Sequence, residues 1–188
     1  MSCESFYDAC HNGRLQDVKF LLELEGDQRI DIHADYGEAF CLACKRGHLE
    51  VIKLLLELEG DRRIDIHAEN EYAFRWACQN GHLEIVKMLL DLGGKHRIDV
   101  HANNEEAFRY AFDNRHIELV RLLLELGGDR QIDVHVENEY AFRNACRYGH
   151  LELVKLLLEL KGDQRIDVHA NNEEAFRWAC ICGRLEVV

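Results

Sequence analysis

Apolar and polar positions repeat along this chain every 34 residues. The repeat is clearest in three columns, a column being the set of residues at one repeat position: Phe6, Phe40, Phe74, Phe108, Phe142 and Phe176; Ile30, Ile64, Ile98, Ile132 and Ile166; His33, His67, His101, His135 and His169. A fixed period of about 20 to 50 residues is typical of stacked supersecondary units, because each unit buries its apolar face only against its neighbours. The pattern predicts a single domain over residues 1–188, with repeats at about 1–35, 36–69, 70–103, 104–137, 138–171 and, incomplete, 172–188.

The first half of each repeat predicts a short buried helix. Within 70–103, apolar residues follow helical spacing at Ala73, Phe74, Ala77 and Cys78. Asn70 is expected to cap this helix at its N-terminus, since asparagine side chains accept hydrogen bonds from the first backbone N–H groups. Gly81 is expected to end it, because glycine takes a left-handed conformation at little steric cost.

A second helix is predicted to begin near Leu83. Its leucines face inward, while Glu84, Lys87 and Asp91 lie three and four residues apart on a solvated face. The rest of the repeat alternates Ile98 and Val100 with polar residues, which favours an extended arm over a third helix. Each repeat is therefore predicted to be helix, tight turn, helix and extended loop.

The core of the repeat resembles the ankyrin repeat. Residues 77–90, ACQNGHLEIVKMLL, match that family's short helix, Gly-His turn and L-E-x-V-x-x-L-L second helix, and residues 145–158, ACRYGHLELVKLLL, match them again. Tetratricopeptide repeats have the same period, but their W-x2-L-G-x2-Y pattern is absent. The resemblance implies an all-α solenoid of stacked helix-turn-helix units with short extended loops or β-hairpin fingers, which binds proteins on its concave face.

The chain departs from the ankyrin pattern in three ways. It contains no proline, and the family's T-P-L-H entry to the first helix is replaced by Tyr72 to Arg75. The stretch from Leu90 to His101 is longer than the family pattern, so we expect longer second helices and blunter β-hairpin fingers. The proline-free repeats resemble those of large DNA viruses of protists, which implies a host-cell cytoplasm as the place of action.

The charge balance and the apolar runs restrict the class of partner. The formal net charge is −12, from 35 acidic and 23 basic residues, whereas binding to a phosphate backbone needs clustered Lys and Arg. No apolar run approaches the roughly 18 residues that span a bilayer, and the first residues lack the apolar stretch of a secretory signal. We therefore expect no nucleic-acid partner, no membrane partner and a cytoplasmic location.

Cysteine usage supports that location. Five of the eight cysteines occupy one column, in which Phe112 stands in the fourth repeat: Cys10, Cys44, Cys78, Cys146 and Cys180. A position that accepts Cys or Phe is a buried apolar position. We expect reduced thiols rather than disulfides, as in a cytosol.

The histidine and arginine columns are expected to hold the scaffold together. Neighbouring repeats stack roughly 8–10 Å apart, too far for His67 and His101 to ligate one zinc ion at about 2 Å. The histidines match ankyrin loop asparagines that tie one finger to the next, and their titration near pH 6.5 predicts an acid-sensitive stack. The arginines are expected to bind loop carbonyls or pair with an aspartate column: Arg75, Arg109, Arg143 and Arg177, with Asp65, Asp99, Asp133 and Asp167.

No group of residues predicts catalysis. The chain has no serine-nucleophile motif and no glycine-rich phosphate loop, and its repeated acids do not converge. Cys41 and Cys44 form a C-x-x-C, but a lone pair of this kind predicts neither a redox centre nor a metal site. We expect a non-catalytic protein without cofactor, metal or small-molecule substrate.

Columns that vary between repeats are those that the scaffold does not dictate. Several hold Tyr, Trp and Arg, which carry much of the energy of protein interfaces, and two match the ankyrin positions at the end of the first helix. We predict that a partner protein contacts Tyr72, Trp76, Gln79, Tyr110, Asp113, Tyr140, Asn144, Arg147, Tyr148 and Trp178. The alternative for Trp76, Tyr110 and Trp178 is that they only fill gaps between first helices.

The last segment supports a second hypothesis. Residues 183–188 stop inside the expected second helix, and this terminal repeat lacks the polar outer face that such repeats need. We expect a truncated chain or a covered end. The alternative function is a structural module that self-associates through its uncapped C-terminal end.

Overall fold

Eleven α-helices, and no β-strand, are found in the part of the chain that the structure describes. This computed structural model describes residues 2–188, and side chains for 5–34 and 37–188. The helices are α1 Ser2–His11, α2 Leu15–Leu22, α3 Ala34–Arg46, α4 Leu49–Leu56, α5 Ala68–Gln79, α6 Leu83–Leu90, α7 Ala102–Asp113, α8 Ile117–Leu124, α9 Val136–Tyr148, α10 Leu151–Leu158 and α11 Ala170–Ile181. They form two compact units, Met1–Asp99 and Val100–Val188. The all-α repeat fold is confirmed, and the single domain stays a prediction.

Within each unit the first helices of successive repeats pack side by side. In the first unit α1, α3 and α5 form this layer, with α2 and α4 packed beside each other; in the second unit α7, α9 and α11 do so, and α8 packs on α10. The phenylalanine column lies in the core except for Phe176, which is exposed; Phe74 and Phe108 are fully buried. Burial of each such ring contributes about 1.5–3 kcal/mol to stability.

The cysteine column is buried as predicted in every repeat except the last. Cys10, Cys44, Cys78 and Cys146 are free thiols inside the two units, and Phe112 takes the same buried position in α7. Burial raises the pKa of Cys10 to about 12 and that of Cys146 to about 11, so these thiols are protonated and unreactive near neutral pH. Cys180, in α11, is exposed.

The expectation of longer second helices and β-hairpin fingers is wrong. Each second helix has eight residues, and the additional residues form a short 3-10 turn, such as Gly94–His96 after α6. Gly94 has φ +60, a conformation that lets the chain leave the helix direction abruptly. The arm that follows is extended at Arg97 and buries Ile98 and Val100, so its apolar residues join the core.

The predicted asparagine caps are also wrong. Asn70 makes no cap; it is the middle of three successive left-handed residues, Glu69, Asn70 and Glu71, with φ +52, +55 and +62. Asparagine tolerates this conformation better than most residues, which is its physical use here. We call residues 69–71 and their equivalents 103–105, 137–139 and 171–173 the entry turns. The repeat 36–69 has Gly37 instead, with φ +74.

The predicted glycine at the end of the first helix is confirmed. Gly47 and Gly149 are left-handed at the ends of α3 and α9. A Cβ on Gly47 would lie only 2.7 Å from the ring of His82, whose Nε2 contacts the Lys45 carbonyl at 2.9 Å. The glycine therefore allows the histidine of the following repeat to approach. Over residues 2–188, no helix is both long and apolar enough to cross a membrane.

Candidate protein-binding site

The histidine column ties successive repeats together, as predicted. His67 contacts Glu71 Oε1 through Nδ1 at 2.6 Å and the Lys95 carbonyl through Nε2 at 2.8 Å. Both partners are acceptors, so both ring nitrogens donate and the imidazole is protonated. Glu71 Oε1 also accepts the Asp99 N–H at 3.1 Å, so one buried carboxylate connects two neighbouring repeats.

The second unit contains the same arrangement. His135 contacts Glu139 at 2.6 Å and the Asp163 carbonyl at 2.7 Å, and Glu139 accepts the Asp167 N–H at 3.0 Å. The His101 and Glu105 pair repeats these contacts at 2.6 Å. This glutamate column was not predicted, although its members follow four of the five histidines by four residues: Glu71, Glu105, Glu139 and Glu173.

These carboxylates raise the pKa values of His67, His135 and His169. The hydrogen bond from Glu139 raises the pKa of His135 against the opposing effect of burial. Burial acts to lower the pKa of His67, but the bonds to Glu71 and the Lys95 carbonyl outweigh it, so that pKa is also raised. A histidine whose folded pKa is raised stabilises the fold below its unfolded pKa, about 6.5, and loses that contribution as pH rises. The expected acid sensitivity therefore has the wrong sign for this column.

The arginine column binds carbonyl groups, the first of its two predicted roles. Arg75 donates from Nε to the Asn70 carbonyl at 2.8 Å and from Nη2 to the Glu69 carbonyl at 2.7 Å. Arg143 does the same with Asn138 and Glu137 at 2.7 and 2.8 Å. These bonds hold the left-handed entry turns, where each non-glycine residue costs roughly 1–2 kcal/mol.

The C-x-x-C pair replaces part of this scaffold in the repeat 36–69. Cys41 occupies the arginine column and is buried beside Cys44. Burial raises the pKa of Cys41 to about 12, and that of Cys44 well above its usual value. Among the residues with described side chains, no group of three His, Cys, Asp or Glu residues is placed to hold a metal ion.

The predicted contact residues of the first unit form one aromatic group. The rings of Tyr72 and Trp76 lie 4.3 Å apart, centroid to centroid, and Lys45 Nζ lies 3.5 Å from the centroid of Trp76. Both rings and the nearby Gln79 are half-buried. Trp76 thus fills a gap beside Lys45 and also presents part of its ring to solvent, so the two predicted roles are compatible.

Four predicted contact residues of the second unit line one cavity. Asp113 lies at the end of α7, accepting the Tyr140 hydroxyl at Oδ2 at 3.0 Å and the Asn144 amide at Oδ1 at 3.5 Å. The cavity has a volume of about 240 Å³ and is lined by Phe112, Asp113, Tyr140, Asn144, Ala145, Tyr148 and His150. Asp113 and Tyr148 are exposed.

His150 is the residue of this cavity that the sequence analysis missed. It belongs to a column of turn histidines, His48, His82, His116 and His150, and a residue type that recurs in this way gave no sign of a contact role. Its ring stacks on Tyr148 with centroids 5.9 Å apart. Burial and the nearby Arg115 and Arg184 lower its pKa, so the ring is neutral at pH 7 and adds no positive charge to the cavity.

The other contact residues of the second unit, Tyr110, Arg147 and Trp178, are not part of the cavity lining. The Arg147 guanidinium lies 4.3 Å from the ring centroid of Trp178 and 5.5 Å from that of Tyr148. Trp178 donates from Nε1 to Glu174 at 3.0 Å, and Arg143 binds the same carboxylate at 2.5 Å. Tyr110 is half-buried in α7 and does not line the cavity.

Comparisons with known proteins agree with this architecture. A family model described as ankyrin repeats (3 copies) matches residues 6–104, 63–138 and 108–188. An X-ray structure of an ankyrin repeat family protein from Legionella pneumophila matches with a TM-score of 0.61 and 24% identity, over 100% of this chain and 68% of that one. No curated protein matches the chain. Ankyrin repeats are in general protein–protein interaction modules, and this chain belongs to the ankyrin-repeat family.

Proposed function

We propose that the protein is a non-catalytic scaffold that binds a partner protein through the ends of its first helices, which line the concave face in ankyrin stacks. The observation that carries the proposal is the cavity beside Asp113, because it collects Tyr140, Asn144 and Tyr148 from a different helix. Its walls combine aromatic rings with a carboxylate and an amide, the composition of an interface anchor site. The free, buried cysteines support action in a reducing cytoplasm.

The chemistry of the cavity favours a basic side chain from the partner. Among the residues with described side chains, no Lys or Arg forms an ion pair with Asp113, whose carboxylate is bonded only by neutral groups. The rings of Tyr140 and Tyr148 already lie near guanidinium groups of this chain, Arg109 at 5.9 Å and Arg147 at 5.5 Å, so the Asp113 carboxylate is the group that would attract a further cation. A net charge of −12 also accelerates encounter with a basic partner surface.

The test is comparative affinity capture from a eukaryotic cytosolic lysate. The bait variant Asp113→Ala/Tyr148→Ala removes the carboxylate and one ring of the cavity. The control Phe20→Ala/Glu118→Ala also removes one exposed ring and one exposed carboxylate, but from the second helices α2 and α8. We expect a protein captured by the wild type and the control and lost with the cavity variant, while circular dichroism shows all three folded. Equal capture by the cavity variant would overturn the proposal.

A second candidate function is self-association through the C-terminal end. Phe176 is 53% exposed and Ile181 is 73% exposed, whereas Phe142 in the preceding repeat is buried. An apolar face of this kind is covered when a second copy packs on it. Sedimentation equilibrium would show a dimer that Ile181→Lys converts to a monomer; a wild-type monomer at high concentration would exclude this candidate.

A further inference from the structure

The repeat 36–69 lacks the carboxylate that each following repeat supplies to the histidine of the repeat before it. Glu71 accepts a hydrogen bond from His67 Nδ1. Glu105, Glu139 and Glu173 do the same for His101, His135 and His169. In the repeat 36–69 the same column holds Gly37. The difference leaves a defined set of hydrogen-bond donors without the acceptor that they have elsewhere.

Two donors are affected, both within the first unit. His33 contacts the Asp61 carbonyl through Nε2 at 2.9 Å, and among the described residues nothing lies at hydrogen-bond distance from its Nδ1. The Asp65 N–H likewise has no acceptor among the described residues, although its equivalent, the Asp99 N–H, donates to Glu71. Each other copy of this donor pair brackets one carboxylate oxygen.

A cavity occupies the place of the missing side chain. Its volume is about 540 Å³, and it is lined by Ile32, His33, Gly37, Ile64, Asp65, His67, Ala68, Glu69 and Asn70. A Cβ on Gly37 would meet no atom within 4 Å, so the cavity begins where a glutamate side chain would start. The space therefore exceeds what a glutamate side chain needs.

The acidic residues around the cavity do not prevent an anion from binding. Asp65 and Glu69 are near, but Glu105 occupies the equivalent place two repeats later with Asp133 and Glu137 in the same positions. Its carboxylate is bound there by His101 at 2.6 Å and by the Asp133 N–H at 3.2 Å. The same neighbours thus already accommodate a carboxylate in this protein.

We propose that this cavity binds a carboxylate group from another molecule, which takes the place of the missing glutamate. One carboxylate oxygen accepts the His33 Nδ1–H and the Asp65 N–H, while Ile32 and Ile64 contact the aliphatic part of the ligand. The carboxylate is that of a free carboxylic acid or of a glutamate side chain on a protein. The site is separate from the Asp113 cavity, and neither depends on the other.

The test follows the Asp65 amide by ¹H–¹⁵N NMR at about pH 6, where histidine is largely protonated. The probes are propionate, which represents a free acid, and N-acetylglutamate N-methylamide, which represents a glutamate side chain. N-acetylglutamine N-methylamide is the uncharged control. We expect a saturable shift of the Asp65 amide with propionate, with the blocked glutamate or with both, and none with the blocked glutamine; the probes that bind identify the source.

Two variants at one position make the test specific. Gly37→Glu supplies the carboxylate from the chain itself and is expected to abolish the saturable shift. Gly37→Ala places a Cβ on the same left-handed backbone without a carboxylate and is expected to keep it. Absence of a saturable shift in the wild type, an equal shift with blocked glutamine, or retained binding in folded Gly37→Glu would each overturn the proposal.

Discussion

The entry turn and the far end of the first helix differ in both sequence and contacts. The entry turn at 137–139 is held by His135 and Arg143, and the same residue types recur in the neighbouring repeats. At the far end, Asp113 and Arg147 share one column yet carry opposite charges. His135 and Arg143 make hydrogen bonds to a carboxylate and to backbone carbonyls within the chain. Asp113 and Arg147 instead present charged groups to solvent.

The difference indicates that recurring residues maintain stability, whereas varying residues are available for binding. A residue that recurs because every repeat needs its hydrogen bonds should affect unfolding when it is changed. A residue that varies because the scaffold does not need it is free to contact a partner. The loss in the free energy of unfolding should therefore be largest for a buried recurring residue and smallest for an exposed varying one.

The largest loss is expected for Glu139→Ala. Its side chain is 5% exposed, and its removal takes the acceptor away from the His135 Nδ1–H and from the Asp167 N–H. We expect about 3 kcal/mol lower stability in urea unfolding. The matched control is Glu173→Ala, whose side chain contacts His169 at 2.8 Å but is 53% exposed, with an expected loss below about 1 kcal/mol. Equal losses would contradict the role given to burial.

A smaller loss is expected for Arg143→Ala. The substitution removes the hydrogen bonds that Arg143 donates to the carbonyls of Glu137 and Asn138 and that hold the left-handed entry turn. We expect about 2 kcal/mol, typical of hydrogen bonds to a charged group. Arg121→Ala is the control, because its guanidinium lies 4.0 Å from Glu152 on the surface and should contribute less than about 0.5 kcal/mol. Indistinguishable urea midpoints for the two variants would show that the Arg143 hydrogen bonds do not stabilise the entry turn.

The pH dependence should reveal the protonated histidines. Because Glu139 raises the folded pKa of His135, the stabilisation is complete below the unfolded pKa of about 6.5 and declines as pH rises above it. Histidines with lowered pKa values, such as His150, act in the opposite direction, so the wild type must be compared with Glu139→Gln. We expect the difference in urea midpoint between the two proteins to shrink from about pH 6 to about pH 8. A difference that grows over this range would contradict the sign.

The smallest effect on stability is expected for Tyr148→Ala. The ring is 52% exposed and contacts His150 and Arg147 only at the surface. We expect a change within about 0.5 kcal/mol in the same urea experiment, as for other surface substitutions. A loss as large as that of Glu139→Ala would mean that this end of the helix is also part of the scaffold.

The stack could be predicted from sequence because its core repeats. The phenylalanine and cysteine columns each mark a position that is buried in every repeat except the last, and Phe112 shows that apolar character rather than size matters in the cysteine column. The entry turn could not be predicted in the same way. Glutamate is not a residue that favours left-handed backbone, so Glu71 gave no local sign of its conformation. Its spacing of four residues from His67 was the available sign.

The candidate site was predictable as a set of residues but not as a cavity. Variation between repeats pointed to Asp113, Tyr140 and Tyr148 separately. Their convergence depends on how α7 and α9 pack, which places Asp113 within 3.0 Å of a hydroxyl 27 positions later. Packing of this kind follows from side-chain shapes across two helices and not from a pattern within one.

The most direct test of the account is the affinity of the captured partner for Asp113→Asn, measured by isothermal titration calorimetry. Glu118→Gln is the control, since it neutralises an exposed carboxylate on α8. We expect a dissociation constant at least about tenfold higher for Asp113→Asn, because a charge–charge contact in the cavity is lost. We expect wild-type affinity for Glu118→Gln. Unchanged affinity for a folded Asp113→Asn protein would contradict the central claim.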